Sequence, residues 1–253
     1  MALAARTAAQ SRSLSIGASV ILPATSAPSK IVGAKQNGAT VVLAGSDPED
    51  REYAAKQIIQ DTGATFVGPM DDPRIVLGQA TATLELMDQV SEMSGETLDA
   101  IVLPSATGGI LTGAAIVCEN TETMVFGCEP REGGPDLQRG LASGVLPRPK
   151  NQASVADGLR ASTAKGNFEL IRQKHLVDGV YTATEGEIKE AWRLLIEQLK
   201  LVVEPSSAVS VALILFNEEF RTMLAERQSH WNVGIVLTGG NTTVSRIIEE
   251  LSS

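Results

Sequence analysis

Ile101-Val-Leu-Pro-Ser-Ala-Thr-Gly-Gly-Ile-Leu-Thr-Gly113 is the stretch from which the fold can be read. Its run Ala100-Ile-Val-Leu103 is apolar throughout, as a strand is when helices cover both faces of its sheet. The strand closes at Pro104, small residues follow, and a helix opens at about Gly109. Free N–H groups at such a helix start point outward and carry partial positive charge. Gly108 and Gly109 let an anion approach the main chain, and the Thr107 hydroxyl offers one more donor. A tight turn without a ligand accounts for the same residues equally well. Gly234-Ile-Val-Leu-Thr-Gly-Gly-Asn241 repeats the pattern of strand, Gly-Gly turn and helix. It places Thr238 at the C-terminal end of a parallel strand, where α/β sheets bind ligands. Alone, Thr238 also suits a turn or a helix cap. Two such junctions in one sheet favour a shared ligand.

Working outward, short β-branched runs alternate with longer helical stretches. Strands are expected at Ala18–Leu22, Thr40–Leu43, Thr65–Gly68, Asp99–Pro104, Met124–Glu129, Val180–Thr182 and Val233–Thr238. Helices are expected at Ser29–Gln36, Pro48–Asp61, Pro73–Glu92, Gly109–Glu119, Glu185–Leu201, Pro205–Glu226 and Thr242–Leu251. Asp47-Pro48-Glu49-Asp50 carries a cap, a proline and acidic first-turn residues, and Thr184-Glu-Gly-Glu187 is a capping box. This alternation implies an α/β class with mainly parallel sheets. Residues 18–74 read as three βα-type units. The proline-bearing connection Gly68-Pro-Met-Asp-Asp-Pro73 then separates a small domain, 1–74, from a large one, 75–253. Gly133–Ser154, rich in Gly, Pro and Arg, reads as a long surface loop with one helical turn.

Composition removes several function classes. With 21 Lys and Arg against 30 Asp and Glu, the net charge of −9 and the lack of a basic block disfavour nucleic-acid binding. Cys118 and Cys128 match neither a redox pair nor a zinc pattern and read as reduced, buried thiols of a cytoplasmic protein. His175 and His230 are too few for a histidine-rich metal site. No apolar run is long enough to cross a bilayer. The opening Met1-Ala-Leu-Ala-Ala-Arg-Thr-Ala-Ala-Gln10 suits the middle of a helix but has no cap before it, and it lacks the apolar core of a secretory signal.

The order of motifs resembles the fold-type II pyridoxal-phosphate enzymes, in the serine/threonine dehydratase and serine racemase branch. The matching stretches begin with Pro23-Ala-Thr-Ser-Ala-Pro-Ser-Lys30, Gly38-Ala39, Gly78-Gln-Ala-Thr81 with Leu84-Glu85, and Leu103-Pro-Ser-Ala-Thr-Gly-Gly109. Gly127-Cys-Glu-Pro130, Ala156-Asp-Gly158, Val203-Glu-Pro-Ser-Ser207 and Leu237-Thr-Gly-Gly-Asn241 follow, in the family's order along essentially the whole chain. The resemblance implies two three-layer domains. It places the phosphate of pyridoxal phosphate at Ala106, Thr107, Gly108, Gly109 and Ile110, and sets Thr238 against the pyridine nitrogen. Gly158 and Glu204 would line the cofactor's surroundings. Glu129, the Gly133 carbonyl and Asp136 would stand near the family's site for Mg2+ or another divalent cation. Read alone, Glu129 and Asp136 suit a solvated surface pair equally well. The implied substrate is a small hydroxy-amino acid such as serine or threonine, and a homodimer is the family expectation.

The departures set the expectation for catalysis. The family's Ser-x-Lys-x-Arg motif, which carries the Schiff-base lysine, is absent, and so is its Ser-Ser-Gly-Asn-His loop. Lys30, Lys35, Lys56, Lys150, Lys165, Lys174, Lys189 and Lys200 all stand in helical or polar surface contexts. None sits at a strand end in a desolvated pocket, where an amine is activated for imine formation. The phosphate loop reads Ala-Thr-Gly-Gly where four glycines are usual, Ala80 replaces a usual glycine, and Pro135 alters the cation loop. The chain is therefore expected to lack its N-terminal segment and to have no catalytic residue of its own. Two readings stay open: a shortened dehydratase or racemase, or a non-catalytic binding protein that keeps part of the cofactor pocket.

Overall fold

Ala100, Val102, Phe126 and Cys128 belong to one hydrophobic cluster and Ile101, Leu103 and Val125 to another, the alternation that a strand imposes on its side chains. The computed structural model describes residues 2–26, 28–45, 47–133, 135–148, 153–226 and 230–252. The chain divides into two compact units, Met1–Val67 and Gly68–Ser253.

The first unit runs α1 (Ala2–Ser11), β1 (Ser19–Pro23), α2 (Pro28–Gln36), β2 (Thr40–Ala44) and α3 (Pro48–Thr62). Strands β1 and β2 pair in parallel, Ser19 opposite Thr40 and Pro23 opposite Ala44. Asp47 and Pro48 open α3, and Gly63, at φ +68°, closes it. The expected strand Thr65–Gly68 does not form. Phe66 and Val67 are exposed, and β propensity is realised only where a strand finds a partner and a face to bury.

The second unit opens with α4 (Pro73–Ser94), β3 (Ala100–Pro104), α5 (Gly109–Cys118), β4 (Met124–Pro130), α6 (Asp136–Ser143), α7 (Lys165–Lys174) and β5 (Gly179–Ala183). It closes with α8 (Glu185–Glu197), α9 (Pro205–Phe216), α10 (Glu218–Glu226), β6 (Val233–Ile235) and α11 (Val244–Leu251). Its sheet has the order β5-β4-β3-β6, with every neighbouring pair parallel. Trp192, Leu213 and Phe220, from α8, α9 and α10, fill one face. Leu111, Leu137 and Phe168, from α5, α6 and α7, fill the other, giving three layers. Each fully buried large apolar side chain contributes on the order of 2 kcal/mol. The sheet interior thus carries the stability and leaves the strand ends to polar loops.

Several expected elements change length. The helix expected over Pro205–Glu226 breaks at Asn217, whose Nδ2 donates to the Thr182 carbonyl (2.9 Å) while its Oδ1 accepts the Phe220 N–H (2.9 Å). Helix α8 stops at Glu197, and Lys200 turns into the left-handed region at φ +59°. Strand β6 ends at Ile235, short of Thr238. Within the expected loop Gly133–Ser154, α6 makes eight residues of helix, more than one turn, while residues 134 and 149–152 lie outside those described. Helix α7 was not expected from the sequence. The connection 68–74 belongs with the second unit, where the Met70 carbonyl and the Asp71 carboxylate accept from Asn167 and Gly166.

Candidate functional site

Strand β3 delivers Ser105–Gly108 to the C-terminal edge of the sheet. The Ser105 N–H continues the pairing with β4 by donating to the Cys128 carbonyl (2.8 Å). Gly108 then takes φ +87°, a left-handed conformation that favours glycine, and α5 begins. The Thr112 N–H donates to Gly108 O (2.8 Å), closing the first turn of α5. The N–H groups of Gly108 to Leu111 therefore precede any carbonyl one turn back, as at every helix start. Ala106, Thr107 and Ile110 are half-buried, and Gly108 and Gly109 are buried.

Strand β6, next to β3, delivers Thr238 to the same edge, where its side chain is exposed. The Ser207 hydroxyl, fully buried at the start of α9, stands 3.5 Å from Thr238 Oγ1 and ties the following residue at both N–H and carbonyl. Glu204 and Gly158 join this corner. A methyl group on Gly239 would lie 2.7 Å from Glu204 Oε1, and one on Gly158 would lie 3.5 Å from the same oxygen. The Gly158 N–H donates to Ser206 Oγ (2.9 Å), and Arg246 holds that turn through Asp157 (3.1 Å) and the Val155 carbonyl (2.9 Å). The structure thus brings Gly158, Glu204 and the Thr238 loop together, beside a β3 loop that leaves the adjacent strand.

Glu129 and Asp136 are not a solvated pair, since each is 3% exposed. Glu129, near the end of β4, caps α6: its carboxylate accepts the N–H groups of Asp136 (3.1 Å), Leu137 (3.1 Å) and Gln138 (2.9 Å). Asp136 accepts both the N–H and the hydroxyl of Thr163 at 2.9 Å. Burial raises the Glu129 pKa to about 8, against its helix-amide bonds, and the adjoining Asp136 carboxyl adds to the rise. Gly133 is buried beside them in sequence. Among the described residues, no three His, Cys, Asp or Glu side chains converge as a metal site.

The described lysines stand elsewhere. Lys174 pairs with Glu119 (3.0 Å), Lys189 pairs with Glu250 (3.3 Å), and Lys200 donates to the Glu197 carbonyl. Lys165 is exposed at the start of α7, Lys30, Lys35 and Lys56 belong to the first unit, and Lys150 lies outside the described residues. Both cysteines are free and buried, and burial raises both thiols. Both histidines are exposed.

Sequence reasoning passed over Thr163, Asn167 and Ser207, which hold the two loops from behind. Ser207 closes the Val203-Glu-Pro-Ser-Ser207 stretch, and its place just after a helix-opening Glu-Pro was the available signal. Thr163 and Asn167 lie where no strand or cap marked the chain.

Residues 2–239 match the family described as "Pyridoxal-phosphate dependent enzyme". Serine racemase of Dictyostelium discoideum is 36% identical over 237 residues, which span 92% of this chain and 69% of the racemase. The structure of maize serine racemase matches with a TM-score of 0.85 at 28% identity, covering 99% of this chain and 72% of that one. The structure of a threonine deaminase from T.th. matches with a TM-score of 0.80 at 32% identity, covering 96% of this chain and 75% of that one. No helix among the described residues is long and apolar enough to cross a membrane. On the extent of the family match and the identity of these relatives, the chain belongs to the fold-type II pyridoxal-phosphate-dependent enzymes, in their serine racemase and serine/threonine dehydratase branch.

Proposed function

We propose that the second unit holds pyridoxal phosphate at the C-terminal ends of β3 and β6. The phosphate sits on Ala106–Ile110, and the pyridine nitrogen faces Thr238. The observation that carries this reading is the placing of a helix-start loop after β3 and of the Thr238 hydroxyl in the loop after β6, the parallel strand next to it. The residues fit the group. Gly108 and Gly109 add no side chain at the helix start, and main-chain dipoles attract an anion without needing a lysine. Thr238 would offer the ring nitrogen a neutral hydroxyl, which cannot hold that nitrogen protonated as a carboxylate would. Gly158 and Glu204 wall the ring's side of the site. When bound, the cofactor supplies an electron sink for chemistry at an amino acid's α-carbon.

The substrate class in this reading is a small hydroxy-amino acid, serine or threonine, and the setting is cytoplasmic, which suits two free buried thiols. These 253 residues carry no Ser-x-Lys-x-Arg, and no described lysine belongs to either loop. By itself the chain therefore binds the cofactor and turns over neither amino acid. Homodimerisation is part of the same proposal. So is a divalent cation at Glu129, Asp136 and the Gly133 carbonyl. Two buried, adjoining carboxyls and a carbonyl are the hard oxygen donors that Mg2+ takes. The test is ammonia release from L-serine and L-threonine by the purified protein with pyridoxal phosphate. None is expected, and sustained release at a rate proportional to protein would contradict the reading.

A further inference from the structure

The cofactor loop is held from behind by one buried side chain. Asn167, on α7, is 2% exposed, and its Nδ2 donates to two carbonyls, Thr107 O and Met70 O, each at 2.9 Å. The Ala164 N–H also donates to Thr107 O, at 3.0 Å. A peptide group is planar, with its carbonyl and N–H on opposite edges. Gripping the Thr107 carbonyl from the α7 side therefore turns the next N–H, that of Gly108, away from α7. A methyl group on Gly108 would stand 3.2 Å from Asn167 Cβ and 3.5 Å from Thr163 Cγ2, so the loop packs directly on this support. Thr163 is itself fixed by Asp136. The second hydrogen of the same amide secures Met70, in the connection that leads out of the first unit, and the Gly166 N–H secures Asp71 next to it (3.2 Å).

From this geometry we infer that Asn167 is a positioning residue. It aims the Gly108 N–H at the cofactor phosphate and links occupancy of the loop to the order of the 68–72 connection. The inference rests on the phosphate placement proposed above. Its physical basis is that removing a buried donor shared by two carbonyls takes one partner from each, leaving Thr107 O with the Ala164 N–H. A ligand that stiffens the Thr107 loop is expected to stiffen the Met70 connection through this shared amide, and such a coupling is equal in both directions.

The test uses pyridoxamine phosphate and pyridoxamine, which differ only in the phosphate and form no imine with surface lysines. Wild-type protein is expected to prefer the phosphorylated ligand, and that ligand is expected to slow amide exchange in both 105–109 and 68–72. Asn167→Ala is expected to weaken pyridoxamine phosphate about tenfold, the loss typical of a buried hydrogen bond. It should leave pyridoxamine binding unchanged and abolish the response of 68–72. Asn167→Ser keeps one donor and should fall between the two, and it provides the reading if the alanine variant does not fold. A wild-type protein with no preference for the phosphate overturns the phosphate placement and this inference together. A wild-type preference that both variants retain within twofold overturns the inference alone.

Discussion

The Ser207 hydroxyl meets the backbone of Gly239 twice, donating to its carbonyl at 2.8 Å and accepting its N–H at 2.9 Å. A buried side chain at the start of α9 thereby fixes the loop that carries Thr238. Ser207→Ala leaves the Gly239 N–H and carbonyl without that partner, at a cost of about 1–3 kcal/mol. Because the protein has two units, local exchange is a better gauge than a single melting point. Amide exchange in 237–240 is expected to accelerate while exchange in β4 stays unchanged. Equal acceleration throughout the sheet would show that Ser207 acts on the core and not on the loop.

Gly113 lets α5 lie against α4. A methyl group there would stand 2.8 Å from the Val76 carbonyl and 2.9 Å from the Ala80 N, both backbone atoms that cannot rotate away. Gly113→Ala is therefore expected to destabilise the second unit by about 1–3 kcal/mol, the usual cost of overpacking, despite alanine's better helix propensity. Urea unfolding followed by Trp192, buried in that unit, checks the shift. An unchanged or higher midpoint would contradict the close approach.

Asp72 caps α4 by accepting the Arg74 N–H (2.9 Å), and it also accepts from the Arg74 side chain at 3.0 and 2.7 Å. The side-chain bond first, then the backbone bond, lowers its pKa to about 2. A depressed carboxylate pKa means the contribution is present above the unfolded value of about 4 and is lost as pH falls through about 2. Asp72→Asn is expected to lower helix stability at neutral pH. The difference from wild type should shrink steadily as pH falls below about 4 and be mostly lost by about pH 2. A difference that is the same at both ends of that range would contradict the assignment.

Glu129 and Asp136 test the cation. Two adjoining buried carboxyls repel when both are ionised, and a divalent ion between them removes that penalty. Magnesium at millimolar concentration is expected to raise the melting temperature of the wild-type second unit, and Glu129→Gln is expected to lose most of that rise. An equal response of both proteins would place any bound magnesium elsewhere.

How much of this was legible in the sequence depends on what each residue needed from distant parts of the chain. The β3 strand and the Gly108 turn were readable because an apolar run and a glycine state their own requirements. The Thr184–Glu187 capping box was readable for the same local reason, and both of its bonds form, at 3.2 and 2.7 Å. Thr65–Gly68 misled because its β-branched residues met no partner strand. The break at Asn217 was missed because its amide finds the Thr182 carbonyl 35 residues away. For Glu129 and Asp136 a solvated surface pair stayed open beside a cation site, because nothing local announces that α6 folds its N-terminus onto one and Thr163 onto the other. Asn167 was missed for the same reason, with both of its carbonyl partners at least 60 residues distant.

The most direct test of the account is to titrate the 253-residue protein with pyridoxal phosphate, reduce the complex with borohydride and measure the intact mass. Saturable binding of one equivalent is expected, with no cofactor fixed stoichiometrically to a particular lysine after reduction. Absence of saturable binding, or quantitative attachment at a single lysine, would contradict a chain that holds the cofactor at the β3 and β6 loops without a lysine.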